Sequence, residues 1–212
     1  MPGQIKIDDG AGNYTILTNA GSLGSDKTIT IPNTTGTMAL TSDISAGLVY
    51  INSGTFSAVS SVSIDSVFTS TYKDYLILIE FTDNSADNTQ TSLQLRSSSS
   101  TVNTNYVSQN LQAEDANVGG LKNQLGTDEW DCIPLDQTYT YGGFVKVHLR
   151  SPEEAKATHM LLYGNGTFGT NTLYVYNTTG VHNDTTQCDG FQINVVAGTI
   201  TGNWKVYGLS DS

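Results

Sequence analysis

The side chains that could do chemistry in this 212-residue chain are few and loosely spaced. Three histidines, His148, His159 and His182, stand apart. No HExxH pair, CxxC pair or other dense ligand spacing accompanies them, so a zinc site is not expected. No GxSxG elbow offers a nucleophile, and no glycine-rich turn leads into a helix that would cradle phosphate. Carboxylates come as adjacent pairs, Glu114-Asp115 and Asp128-Glu129, with Asp131 and Asp136 following. Two acids held at the right separation hydrolyse glycosides, but acids adjacent in sequence more often solvate a loop. The stretch Asp83-Asn84-Ser85-Ala86-Asp87-Asn88 carries oxygen donors suited to calcium but lacks the glycine and distal glutamate of an EF-hand. It reads as a hairpin tip. The expectation is a non-enzyme with no catalytic residue, no metal site and no cofactor.

The aromatic residues say more. Trp130, Tyr139 and Tyr141 fall in a polar, loop-like segment between Gly119 and Gly143, with Asp128 and Asp131 close by. Rings of this kind stack on the CH faces of sugars while neighbouring carboxylates bind the hydroxyls. These five residues are therefore the candidate ligand-binding set. The competing reading is that the rings cover one end of a core. Tyr174 and Tyr176 share a face opposite Leu173 and Val175 and read, in the same way, as packing.

The elements that must position these groups are strands. The chain holds 29 Thr, 21 Ser, 17 Asn and 21 Gly, types that favour strands and turns over helix interiors. Nine Lys and Arg against 20 Asp and Glu give a net charge of -11. That balance excludes nucleic acid and anionic membrane surfaces as partners. No apolar run reaches the roughly 20 residues of a membrane-spanning helix, and the opening residues carry no apolar leader. Two cysteines, Cys132 and Cys188, are too few for a disulfide-stapled scaffold and read as free, partly buried thiols of a protein made in a cytoplasm.

Two segments emerge. Residues 1–46 form short strands with too few apolar side chains for a core of their own. Ile5, Ile7, Ile29, Ile31, Met38 and Leu40 would stay wet without another chain, so this segment reads as an oligomerisation element with those residues at a trimer interface. Residues 47–212 carry strands at sandwich-like spacing. The run Tyr75 to Phe81 is apolar on both faces, which predicts a central strand covered on both sides. Val145, Val147 and Leu149 alternate with Lys146, His148 and Arg150, as on a half-buried strand. Only Ser151 to Thr158 leans toward a helical turn. The expected fold is an all-β antiparallel sandwich, jelly-roll-like, behind a small strand-rich N-terminal segment.

The stretch from Gly24 through Thr28-Ile29-Thr30-Ile31-Pro32-Asn33-Thr34-Thr35-Gly36-Thr37-Met38-Ala39-Leu40-Thr41-Ser42-Asp43-Ile44 resembles the TLPDATGTLALTSD segment of bacteriophage tail fibre and related virion proteins. Val67 to Ile77 and the terminal Gly202 to Leu209 are similar to strands that open and close a phage structural domain. The resemblance implies a homotrimeric structural protein on the tail or capsid surface of a virion, made in the host cytoplasm. Its partners would be itself, other virion proteins and a host surface glycan or protein. A short tail fibre or fibre tip that binds a receptor is the first form implied. A capsid or tail decoration or cementing protein is the second. The family has no agreed catalytic residues to carry over.

Overall fold

The computed structural model describes residues 5–8, 11, 14–17, 47–114, 117–137, 142–168 and 172–209. The chain divides into two compact units, Met1–Asp43 and Ile44–Ser212. In the first, β1 (Ile5–Asp8) pairs antiparallel with β2 (Tyr14–Leu17), placing Ile5 opposite Leu17 and Ile7 opposite Thr15. Ile29, Ile31, Met38 and Leu40, expected at a trimer interface, lie outside the described residues.

The second unit is an antiparallel β-sandwich. Its larger sheet contains β3 (Leu48–Val59), β5 (Asp74–Asn84), β8 (Tyr106–Glu114), β9 (Asn117–Thr127), β11 (Gly143–Arg150), β12 (Thr158–Phe168), β13 (Thr172–His182) and β15 (Ile200–Leu209). Their spatial order is β3-β15-β5-β11-β12-β13-β8-β9. The smaller sheet contains β4 (Ser61–Ile64), β6 (Thr89–Ser97), β10 (Trp130–Leu135) and β14 (Gly190–Val195), in the order β10-β6-β14-β4. Short β7 (Ser100–Thr101) pairs with β6. Ser60 carries the chain from β3 in one sheet to β4 in the other.

The core fills the space between the sheets. Period-two alternation decides which side chains enter it. On β11, Val145, Val147 and Leu149 are buried, while Phe144, Lys146 and Arg150 are exposed. Phe191 of the small sheet stacks on Phe68 with centroids 6.0 Å apart and meets Trp204 of the large sheet edge-on at 6.2 Å. β10 lies close against a floor of glycines. A Cβ on Gly166 would sit 2.1 Å from the Pro134 carbonyl oxygen, and one on Gly164 would sit 2.6 Å from an Ile133 methyl.

Two expectations are corrected and one is met. On β5, Tyr75, Ile77, Ile79 and Phe81 are buried, but Leu76 and Leu78 are only half-buried, because the small sheet covers the inner face of the large sheet and not its outer face. The segment from Gly119 to Gly143 is not a long loop, since it contains most of β9 and all of β10. Ser151 to Thr158 forms the expected single turn, closed by Glu154 N–H donating to the Ser151 carbonyl at 3.3 Å, and further backbone groups bond outside the segment. Ser151 N–H donates to Lys73 at 2.6 Å, and the Pro152 carbonyl accepts from Cys188 at 2.7 Å.

Candidate functional site

Trp130 is fully buried and so is not a sugar platform. As the first residue of β10 it turns inward and meets Tyr106 edge-on, centroids 4.8 Å apart, with Gly180 leaving room for its indole nitrogen. Tyr106 is anchored in turn. Its hydroxyl accepts from Leu95 N–H at 2.7 Å and donates to the Val102 carbonyl at 2.9 Å, and burial pushes its ionisation up. His182 packs against the same ring at 4.9 Å. Burial lowers the His182 pKa, opposed by the nearby Asp184 carboxylate and the Thr104 backbone. This is core, and the competing reading of Trp130 is the right one. Tyr139 and Tyr141 lie outside the described residues. Asp128 is exposed, in the turn before β10.

Asp131 does line a cleft, at a place the aromatic spacing did not indicate. The small sheet ends at β10, while the inner face of the large sheet continues through β13 and β8. There a cleft of about 240 Å³ opens, lined by Gln90, Asn110, Gln112, Asp131, Pro134, Tyr174 and Tyr176. Strand register assembles it. Tyr176 pairs with Gln112, and Thr178 with Asn110, on one face of neighbouring strands. The Tyr174 and Tyr176 rings lie side by side, 6.1 Å apart and tilted by 35°. Asn110 is 5% exposed, and its Oδ1 meets no hydrogen-bond donor. Pro134 contributes no N–H at this edge of the small sheet.

Around it the polar groups are tied down. On the outer side of the small sheet, Arg96 forks onto Asp65 at 2.7 and 3.3 Å and donates to Gln192 at 3.0 Å. Gln192 donates to Asn194 at 2.6 Å, and Asn194 to Gln94 at 2.7 Å. Glu129 accepts from Ser92 at 2.5 Å, so this acid braces a strand. Among the described residues no group of three His, Cys, Asp or Glu gathers where it could hold a metal ion. The Asp83–Asn88 tip is braced from within and from the β14–β15 turn: Asn84 Nδ2 donates to the Ala86 carbonyl at 2.6 Å and Thr199 N–H to Ser85 Oγ at 2.8 Å. Cys132 and Cys188 are free and buried, and burial pushes the Cys188 thiol up to about 12.

The outer face of the large sheet is a second unusual surface. Leu161, Tyr163, Phe144, Leu173, Val175 and Leu111 are exposed on it, and Leu76, Leu78 and Tyr207 are half-buried. Register sets these side chains beside one another: Leu76 pairs with His148 and His148 with Leu161, while Leu78 pairs with Lys146 and Lys146 with Tyr163. A groove of about 310 Å³ runs between Leu48, Leu76, Lys146, His148, Leu161, Tyr163 and Leu209. His148 Nε2 lies 3.1 Å from Asp74 Oδ1, out of line for a hydrogen bond. On the outward positions of β5, β11 and β15, Lys146, Arg150 and Lys205 face only Asp74 and Glu80, in a chain whose net charge is -11. No family model, curated protein or solved structure matches this chain.

Proposed function

We propose that the chain is a non-enzymatic structural protein of a bacteriophage virion surface, a homotrimer in the manner of a short tail fibre or fibre tip, with its jelly-roll-like sandwich turned toward the host receptor. The observation that carries the assembly half of this reading is the outer face of the eight-stranded sheet. Isolated sandwiches present polar side chains to water on their outer faces. Here the outward positions of β5, β12 and β13 carry Leu76, Leu78, Leu161, Tyr163, Leu173 and Val175, half-buried on β5 and exposed on β12 and β13, and β11 adds exposed Phe144. Contiguous apolar surface of this kind marks a face that another protein covers. The occupant we assign is a second copy. The three cations on this face are a local excess in an acidic chain, so they suit the acidic remainder of a neighbouring copy. The phage identity rests on the resemblance of Gly24 to Ile44.

The decoration or cementing alternative is favoured by one observation, the burial of Trp130, which removes the aromatic platform expected for receptor binding. Antibody labelling of intact virions separates the two readings. Label at the distal tail supports the fibre, label over the capsid supports the decoration, and no label overturns both. Light scattering at micromolar concentration tests assembly. A trimer is expected, and Leu161→Glu with Tyr163→Glu should lower the mass toward that of one chain. A wild-type monomer would overturn the assembly reading.

A further inference from the structure

We infer that the cleft between β10 and the β13–β8 pair binds a single uncharged sugar ring. This deepens the receptor-binding reading above by giving it a site and a ligand class. At about 240 Å³ the cleft falls below the roughly 300–1,000 Å³ of pockets that hold drug-sized ligands, so it suits one ring or the end of a chain. Its wall combines what a pyranose offers partners for. Tyr174 and Tyr176 give two adjacent ring faces for CH groups. The amides of Asn110, Gln112 and Gln90 give donors and acceptors for neighbouring hydroxyls, and Asp131 adds a carboxylate acceptor. A concave wall shows little accessible surface while still bordering open volume, which is the difference between these tyrosines and Trp130.

Asn110 is the more telling member. An acceptor held nine-tenths buried without a donor is costly in a finished core. Set in the wall of a cleft, the amide can turn either its oxygen or its amino group toward a hydroxyl that arrives with the ligand. Among the described residues that line the cleft none is a cation, and the chain carries -11, so acidic sugars are disfavoured. Three amides would be idle against a quaternary ammonium, which argues for hydroxyl groups over a cationic ligand.

The test is saturation-transfer NMR on the full-length protein. Glucose, galactose, mannose, N-acetylglucosamine and N-acetylgalactosamine are screened at millimolar concentration, beside glucuronate and choline. At least one neutral sugar should receive transfer, and Asn110→Leu and Asp131→Asn should each weaken it roughly tenfold with the melting temperature retained. Val196→Thr, on the exposed turn after β14, should leave it unchanged. If Asn110→Leu loses its fold, Asp131→Asn alone decides. No transfer to any neutral sugar, preferential transfer to glucuronate or choline, or transfer that ignores the cleft substitutions would each overturn the inference. The assay uses purified protein, so its failure leaves the virion reading standing, and failure of virion labelling leaves a positive sugar result standing.

Discussion

Replacing Trp130 with alanine separates a core residue from a binding platform. The side chain is fully buried, so its removal leaves a cavity bounded by Tyr106, Met160 and the β13 backbone at Gly180. Truncating a buried tryptophan to alanine costs about 3–5 kcal/mol, and the edge-on contact with Tyr106 adds roughly 0.5–1.5 kcal/mol. For a domain of this size each kcal/mol lowers the melting temperature by about 2–4 °C, so a fall of roughly 7–26 °C is expected. Trp130→Phe keeps an edge-on ring and should lose less than half as much. Circular dichroism melts give the number. The fluorescence of Trp130→Phe reports the one remaining tryptophan, Trp204, as a check that the fold is intact. An alanine variant melting within about 2 °C of wild type would refute the buried placement, and with it the packing of β10 on the large sheet.

Both cysteines should be silent toward a thiol reagent in the native protein and should react together on unfolding, because they are buried and the Cys188 thiol is held at about 12. Rapid labelling of the native chain would contradict this. His182 predicts an acid-side loss of stability. Burial lowers its pKa when folded, so as pH falls through the ordinary value of about 6.5 the unfolded chain takes up the proton first. Its contribution is fully present above that pH and declines below it, and His182→Gln should flatten the melting temperature between about pH 6.5 and 5. Gly166→Ala should cost about 1–3 kcal/mol, because its methyl would press on the Pro134 carbonyl, whereas Gly47→Ala, with open space around it, should be neutral. Equal melting temperatures for the two variants would remove the glycine floor beneath β10.

The sandwich was legible because period-two alternation is a local signal. Val145, Val147 and Leu149 announce a half-buried strand without help from the rest of the chain. The cleft was not legible, because it depends on register between distant strands. Asn110 meets the Thr178 pair only through the β8–β13 ladder, and nothing within either strand announces that neighbour. Trp130 was misplaced for a related reason. Its polar neighbours Asp128, Glu129 and Asp131 suggest a loop, yet Asp128 lies in a turn, Glu129 braces Ser92 and Asp131 is the one half-buried residue of an otherwise buried strand. Of the expected set's described residues, Trp130, Asp128 and Asp131, only Asp131 lines a cleft.

β13 shows why both surfaces follow from one rule. Its outward residues Leu173 and Val175 are exposed and apolar, and its inward residues Tyr174, Tyr176 and Thr178 are buried and carry hydroxyls. That is the reverse of the pattern expected for a strand with a greasy interior and a wet exterior. The inversion makes sense if the outward side is covered by another copy and the inward side, beyond the end of β10, faces a ligand rather than core. Because successive side chains point to opposite faces, substitutions at even and odd positions of this strand act on different surfaces. Val175→Glu should lower the oligomer mass and spare sugar binding, while Tyr176→Leu should weaken sugar binding and spare the mass. A variant set in which both readouts always fall together would mean that the strand's two faces are not independent, and that one surface exists only when the other is formed.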